Sequence, residues 1–262
     1  MINKNILMSY DEYSKIQHET PYFYIFRSGG RLTYYFGSNH SHDPNHPQFN
    51  LLRKKWNEFT SETRAVKTVV IVEAHEIAKL EATMEESIIK HGESGAGAYL
   101  AYEFESLLIF GEPHNDKIIA HLLRNFSKEE ILLWHVCQAI KFWQQHKMGR
   151  SIQEFLSNQT QKYRRLLNWP DLVISVELIN TIYKKLFNRE LNIDNEKTLS
   201  EITTPVSIQS RINELSRSQS IYRNEYVLGQ IEKYWSEGYN IFVIYGAGHA
   251  VMQEPAIRSL VS

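Results

Sequence analysis

Two short apolar runs in this chain each end in glycine, two further residues and histidine. Leu32-Thr33-Tyr34-Tyr35-Phe36 leads into Gly37-Ser38-Asn39-His40, and Ile241-Phe242-Val243-Ile244-Tyr245 leads into Gly246-Ala247-Gly248-His249. β-Branched and aromatic runs of this length read as buried strands, and the glycine lets the chain turn sharply as the strand ends. Open α/β sheets place their ligands in crevices at the carboxyl ends of strands. If the two strands lie parallel and adjacent, both imidazoles face one crevice.

The other segments fit the sheet that this pairing requires. Tyr22 to Arg27 and Leu32 to Phe36 are joined by Ser28-Gly29-Gly30, a hairpin signal. Thr68-Val69-Val70-Ile71-Val72 is continuously β-branched and suits a central parallel strand. Leu107 to Phe110 is a fourth strand-like run before the closing one at 240–245. Helical spacing covers Phe49 to Ser61, read as a surface helix, then Ile77 to His91 and Gly97 to Glu105, divided by Gly92-Glu93-Ser94-Gly95. A short capped helix is expected from Ser9 to about Gln17. From Asp116 to about Tyr183 the pattern is helical almost throughout, with capping boxes at Ser127/Glu130 and Ser151/Glu154. Asn192 to Ser200 reads as a polar loop. Tyr222 to Ser236 is a further helix stopped by Gly238, and a short last helix follows His249 with Glu254-Pro255 near its first turn. The fold class expected is α/β: a mainly parallel or mixed sheet flanked by helices. The length favours one domain across the 262 residues, and a helical insertion or lid is expected at about 116–215.

Composition removes several function classes. With 29 basic against 30 acidic residues, no global field argues for nucleic acid or an anionic membrane surface. A single cysteine, Cys137, excludes an internal disulfide and any multi-cysteine metal site, and its apolar helical setting marks it as a core residue. No run reaches the ~20 apolar residues of a membrane span, and the first residues lack the pattern of a cleaved signal peptide. The expected location is the cytoplasm, or outside the cell by export without a cleaved signal. The expected partner is a small-molecule or peptide substrate.

Four strand ends deliver a polar residue at once: His40, Glu73 (with His75), Glu112 (with His114) and His249. Imidazoles and carboxylates are the ligand set of Zn, Mn, Co or Fe sites, and equally a general base with its orienting partner. The bland alternatives are a capping or solvated histidine and a surface Glu–Lys pair. His42, Asp43 and His46 read as a solvated loop. The segment His91 to Gly97 could offer free N–H groups to an anion, but it lacks the Gly-Lys-Ser/Thr ending of a Walker A loop. No Gly-x-Ser-x-Gly elbow is present, which disfavours acyl-enzyme chemistry.

Phe36-Gly37-Ser38-Asn39-His40, Val72-Glu73, Arg223-Asn224 and the tract Gly238 to His249 together resemble the TraB/PrgY–GumN–TIKI family. That family is grouped with erythromycin esterases and haem-binding ChaN-like proteins on a shared α/β core. The resemblance covers roughly 20–125 and 215–260 and leaves the helical middle outside it. It implies essential roles for His40 and His249 with Glu73 beside them, a second acid at Glu112, an arginine at Arg223 and a minor place for Glu93. It further implies a hydrolase attacking an amide or ester carbonyl with water. The water is activated either on a divalent metal (Mn, Co or Zn) held by His40, His249, Glu73 and Glu112, or directly by His40 oriented by Glu73. A non-catalytic haem- or ligand-binding module of the ChaN type is the third expectation.

Overall fold

The computed structural model describes residues 2–63, 67–145, 149 and 151–260. Five strands form one sheet: β1 (Tyr22–Ser28), β2 (Arg31–Ser38), β3 (Thr68–Val72), β4 (Leu107–Phe110) and β5 (Asn240–Gly246), in the order β1-β2-β5-β3-β4. β1 and β2 pair antiparallel through a two-residue turn in which Gly29 and Gly30 both take positive φ, as a primed hairpin turn requires. All other pairings are parallel. The two Gly-x-x-His strands are therefore parallel neighbours, with Gly37 opposite Tyr245 and Ser38 opposite Gly246. The Asn240 side chain accepts from Leu32 N at 2.9 Å and helps fix that register.

The helices are α1 (Tyr10–Tyr13), α2 (Pro47–Glu62), α3 (Met84–Glu103), α4 (Asn115–Leu122), α5 (Lys128–Gln145), α6 (Ile152–Ser157), α7 (Thr160–Leu166), α8 (Val176–Phe187), α9 (Glu196–Thr203), α10 (Arg211–Ser236) and α11 (Ala247–Arg258). The chain divides into two compact units, Met1–Pro113 with Arg223–Ser262, and His114–Tyr222, and the division falls inside α10. The first unit holds the sheet. Along β5 successive side chains alternate between two cores, as the strand period demands. Ile241, Val243 and Tyr245 join Val227, Leu228 and Ala250 of α10 and α11, whereas Phe242 and Ile244 join Trp56 of α2 and Ala96 of α3. Every residue of β5 is buried, and each large apolar side chain there contributes about 1.5–3 kcal/mol relative to exposure. The second unit is helical around its own core, which includes Leu132, Leu133 and Cys137. Burial pushes the Cys137 thiol up to about 12, so it stays unreactive.

Several local expectations are corrected. Gly37 lies within β2 rather than after it, and its need is close packing: a Cβ there would sit 2.8 Å from Ala250 Cβ and from Tyr22 O. Two helical segments, divided at Gly92 as the sequence suggests, make up α3: the chain breaks where Gly92 adopts φ 60°, ψ −143°, and helix resumes at once rather than at Gly97. The stretch 77–83 precedes it, because Thr83 caps α3 by accepting from Glu86 N. α2 is no mere surface helix, since Phe49, Leu52, Trp56 and Phe59 are all buried. The tract 192–200 contains most of α9, capped by Asn195, whose side chain accepts from Thr198 N. α11 begins at Ala247, directly after β5, so Pro255 falls near its end and His249 in its first turn. Residues 146–148 and 150 of the expected helical stretch lie outside the described residues.

Candidate functional site

The parallel register of β2, β5 and β3 brings the ends of three strands together, and their polar residues meet there. β3 ends at Val72, and Glu73 N donates to Ile244 O at 3.0 Å, so the carboxylate leaves the sheet beside the end of β5. Ser94 Oγ donates to Glu73 O at 2.8 Å and ties the same residue to α3. Glu73 Oε2 accepts from Gly246 N at 2.6 Å and Oε1 from Arg223 at 2.5 Å. The same Arg223 nitrogen, Nη2, also donates to Glu112 Oε1 at 2.8 Å, its Nε donates to Glu112 Oε2 at 2.6 Å, and Tyr245 OH donates to Glu112 at 3.0 Å. One guanidinium thus serves two carboxylates, the paired geometry in which arginine is strongest. Burial opposes charge on Glu73, but the facing His249, Arg223 and His40 and the Gly246 N–H outweigh it, bringing its pKa to about 2. Burial likewise opposes charge on Arg223, and Glu73 and Glu112 more than offset that, pushing its pKa up.

The two histidines flank Glu73 in opposite electrical settings. His40 follows β2 by two residues, on a turn clamped by Gln48, which bonds both Asn39 N (2.9 Å) and Asn39 O (2.5 Å). Its Nδ1 meets the buried carboxylate of Glu93. The break at Gly92 sets Glu93 there; a side chain at that φ would be strained and its Cβ only 3.2 Å from Ser41 O. The Glu93 hydrogen bond, only partly opposed by burial, raises the His40 pKa to about 9, so the ring is cationic at neutral pH. The side chain is 69% exposed, so solvent screens this pair, and its consequence is protonation rather than stability. His249 is 15% exposed and its Nδ1 bonds Asn224 Oδ1 at 2.7 Å, leaving Nε2 3.8 Å from Glu73 Oε1. Burial first, then Arg223, lower its pKa, so this ring is neutral at the same pH. Gly246 lies beside His40 and Glu73: a Cβ there would lie 3.2 Å from His40 Nε2 and 3.3 Å from Glu73 Oε2. Glycine keeps the crevice open.

The structure therefore brings His40, Glu73, Glu112, Arg223 and His249 together, with Glu93 joined through His40. It does not join the remaining histidines to them. His42 Nδ1 bonds Ile89 O, and His46 caps α2 by accepting from Gln48 N. Asp43 accepts from Asn45 N. His75 has a buried Nδ1 with no partner. His114 precedes α4 in the helical unit. Glu73 does not orient His40, because Glu93 occupies its Nδ1. Sequence reasoning missed Gln253, Tyr35 and Tyr245. For Gln253 a signal existed: it stands four residues after His249, on the same face once α11 is started at Ala247.

The carboxylates that the resemblance assigns to a divalent metal are engaged by other partners in this structure. Both oxygens of Glu73 and both of Glu112 are already bonded to Arg223, Gly246 N or Tyr245 OH. A dication among them would also face a fixed guanidinium. Among the described residues, no group of three or more His, Cys, Asp or Glu side chains is arranged to hold a metal ion, and no helix is long and apolar enough to cross a membrane. No family model matches the chain, and no curated protein or solved structure matches it.

Proposed function

We propose that the chain is a hydrolase that cleaves an ester or amide by direct attack of water at this crevice, with no metal in the step. The observation that carries the reading is the pair of imidazoles. Each is held through Nδ1 by a buried acceptor, each leaves Nε2 at the crevice around Glu73, and the two are driven to opposite protonation states. Titratable groups whose surroundings push their pKa values apart divide acid and base roles between them.

Neutral His249 is the base. A water O–H bond breaks, the proton goes to Nε2, and the oxygen attacks the carbonyl carbon. The charge so formed on His249 is met by Glu73, 3.8 Å away and already ionised. Cationic His40 is the acid: its Nε2–H meets the developing oxyanion and then protonates the leaving oxygen or nitrogen as the bond to carbon breaks. The His249 proton returns to solvent and His40 regains one from it. Arg223 touches no reacting atom in this scheme and fixes the carboxylates.

Tag-free protein treated with a chelator and assayed on a panel of nitrophenyl esters and nitroanilides tests the proposal. Hydrolysis should survive chelation and fall by ~100-fold or more in His249→Ala and in His40→Ala. Activity that vanishes on chelation and returns with Mn, Co or Zn would favour the metal-dependent chemistry of the TraB-type resemblance instead. A Soret band without hydrolysis would favour the haem-binding alternative.

A further inference from the structure

His249 is not held by Asn224 alone. Asn224 Oδ1 accepts from His249 Nδ1 and from Gln253 Nε2, both at 2.7 Å, and Gln253 Oε1 accepts from Tyr35 OH at 2.8 Å. The chain crosses three elements, β2, α11 and α10, and Tyr35, Asn224 and Gln253 are each fully buried. None of them reaches the crevice as an acid or base. We propose that Tyr35, Gln253 and Asn224 are positioning residues that hold His249 in its Nδ1–H tautomer and so keep the Nε2 lone pair at the crevice.

The argument is one of hydrogen-bond direction. A neutral imidazole donates from one nitrogen and accepts at the other, and the bond made by one decides the other. An Asn224 oxygen at Nδ1 demands a proton there. That oxygen stays in place because Gln253 also donates to it, and Gln253 is turned that way because Tyr35 donates to its oxygen. Reversing the chain would make Tyr35 an acceptor. Its O–H proton and the Asn224 carbonyl would then both lack partners in the core, where each unmade bond costs ~1–3 kcal/mol. The observed direction leaves one buried group, Asn224 Nδ2, without a partner. The reversed tautomer would put Nε2–H toward Glu73 and remove the base. The charged and titratable groups facing His249 are Glu73, Glu112, Arg223 and His40, and the Tyr245 ring lies edge-on at 5.7 Å. Of these only Glu73 favours the reversed form by contact, and at 3.8 Å it makes no hydrogen bond.

The role in hydrolysis rests on the function proposed above, but the tautomer does not. It is read from the 15N shifts of the labelled full-length protein at pH 8, with the His249 signals assigned by their loss in His249→Gln. We expect a protonated Nδ1 and an unprotonated Nε2 in the wild type. Tyr35→Phe, which keeps the ring, should release Gln253 and admit the Nε2–H form. Asn224→Asp, an acceptor in any orientation, should retain the Nδ1–H form, and Asn224→Leu should lose it. Where an ester is cleaved, Asn224→Leu should lower kcat by at least ~10-fold with KM little changed, and Asn224→Asp should restore much of it. A wild-type Nε2–H tautomer would overturn the proposal, as would a tautomer ratio unmoved by both Tyr35→Phe and Asn224→Leu. Should Asn224→Leu not fold, Tyr35→Phe and Asn224→Asp still decide. Loss of the expected tautomer with hydrolysis intact sinks only this inference. The expected tautomer without hydrolysis sinks only the function.

Discussion

Replacing Arg223 by methionine isolates what the guanidinium does. Its side chain is 20% exposed and is the shared cation of Glu73 and Glu112, which are 11% and 6% exposed. Methionine keeps much of the volume and removes the charge, leaving two buried carboxylates side by side. Breaking a buried pair from one side costs about 3–5 kcal/mol. The Glu73 pKa gives an independent scale: a fall from 4.5 to about 2 is worth roughly 3 kcal/mol at 1.36 kcal/mol per unit. That figure also contains His40 and His249, the latter neutral at pH 7, so Arg223 supplies only part of it at Glu73. Because Glu112 is left unpaired as well, the Arg223→Met loss at pH 7 should be about 3 kcal/mol, the low end of the range for breaking a buried pair. The sign follows from the depressed pKa. This stability is present above the unfolded carboxylate value near 4.5 and is lost as pH falls through about 2. The variant should therefore approach the wild type as pH is lowered, its carboxylates taking up protons that the wild type refuses. Urea denaturation at pH 7, 5 and 3.5 reads both quantities. A variant within ~0.5 kcal/mol of the wild type at pH 7, or a deficit that does not shrink in acid, would refute the reasoning.

Two further outcomes follow from the same geometry. The pH profile of kcat/KM should be a bell: its acid limb lies below the usual histidine value because His249 must be neutral, and its alkaline limb falls near 9 because His40 must keep its proton. In Glu93→Gln the alkaline limb should move down; a rate that instead climbs through pH 9 would make His40 the base and reverse the assignment. Gly246→Ala places a methyl group 3.2 Å from His40 Nε2 and 3.3 Å from Glu73 Oε2, so steady-state kinetics should show a loss of at least ~10-fold. Since φ at Gly246 is −58°, alanine meets no backbone strain and the melting temperature should change by only a few degrees. An unchanged rate would mean that substrate does not pass between those two atoms.

The strands were legible because their signal is local. Short β-branched and aromatic runs locate all five, and the condition under which both imidazoles would face one crevice, β2 and β5 parallel and adjacent, is met. What eluded a linear reading was set by contacts distant along the chain. Nothing near His40 indicates that its partner is Glu93, because that pairing depends on the Gly92 break in α3. The glycines at 92–95 read as a separator between helices, and the structure narrows that break to Gly92 alone, with Glu93 already on the second segment. The expectation of a metal rested on ligand types alone. Residue type cannot reveal that Arg223, 150 positions from Glu73 and 111 from Glu112, binds both carboxylates. Tyr35 read only as one aromatic of a strand, and its hydroxyl gains meaning from Gln253, 218 residues later.

Titration of the two imidazoles by NMR tests the central claim most directly, since it needs neither a substrate nor a guess at one. With side-chain signals assigned through His40→Gln and His249→Gln, chelator-treated protein should show His40 titrating near pH 9 and His249 below the ordinary value of about 6.5. A window several pH units wide would then exist in which one ring is charged and the other neutral. If both histidines titrate together near 6.5, or His249 holds its proton to higher pH than His40, the division into acid and base is wrong.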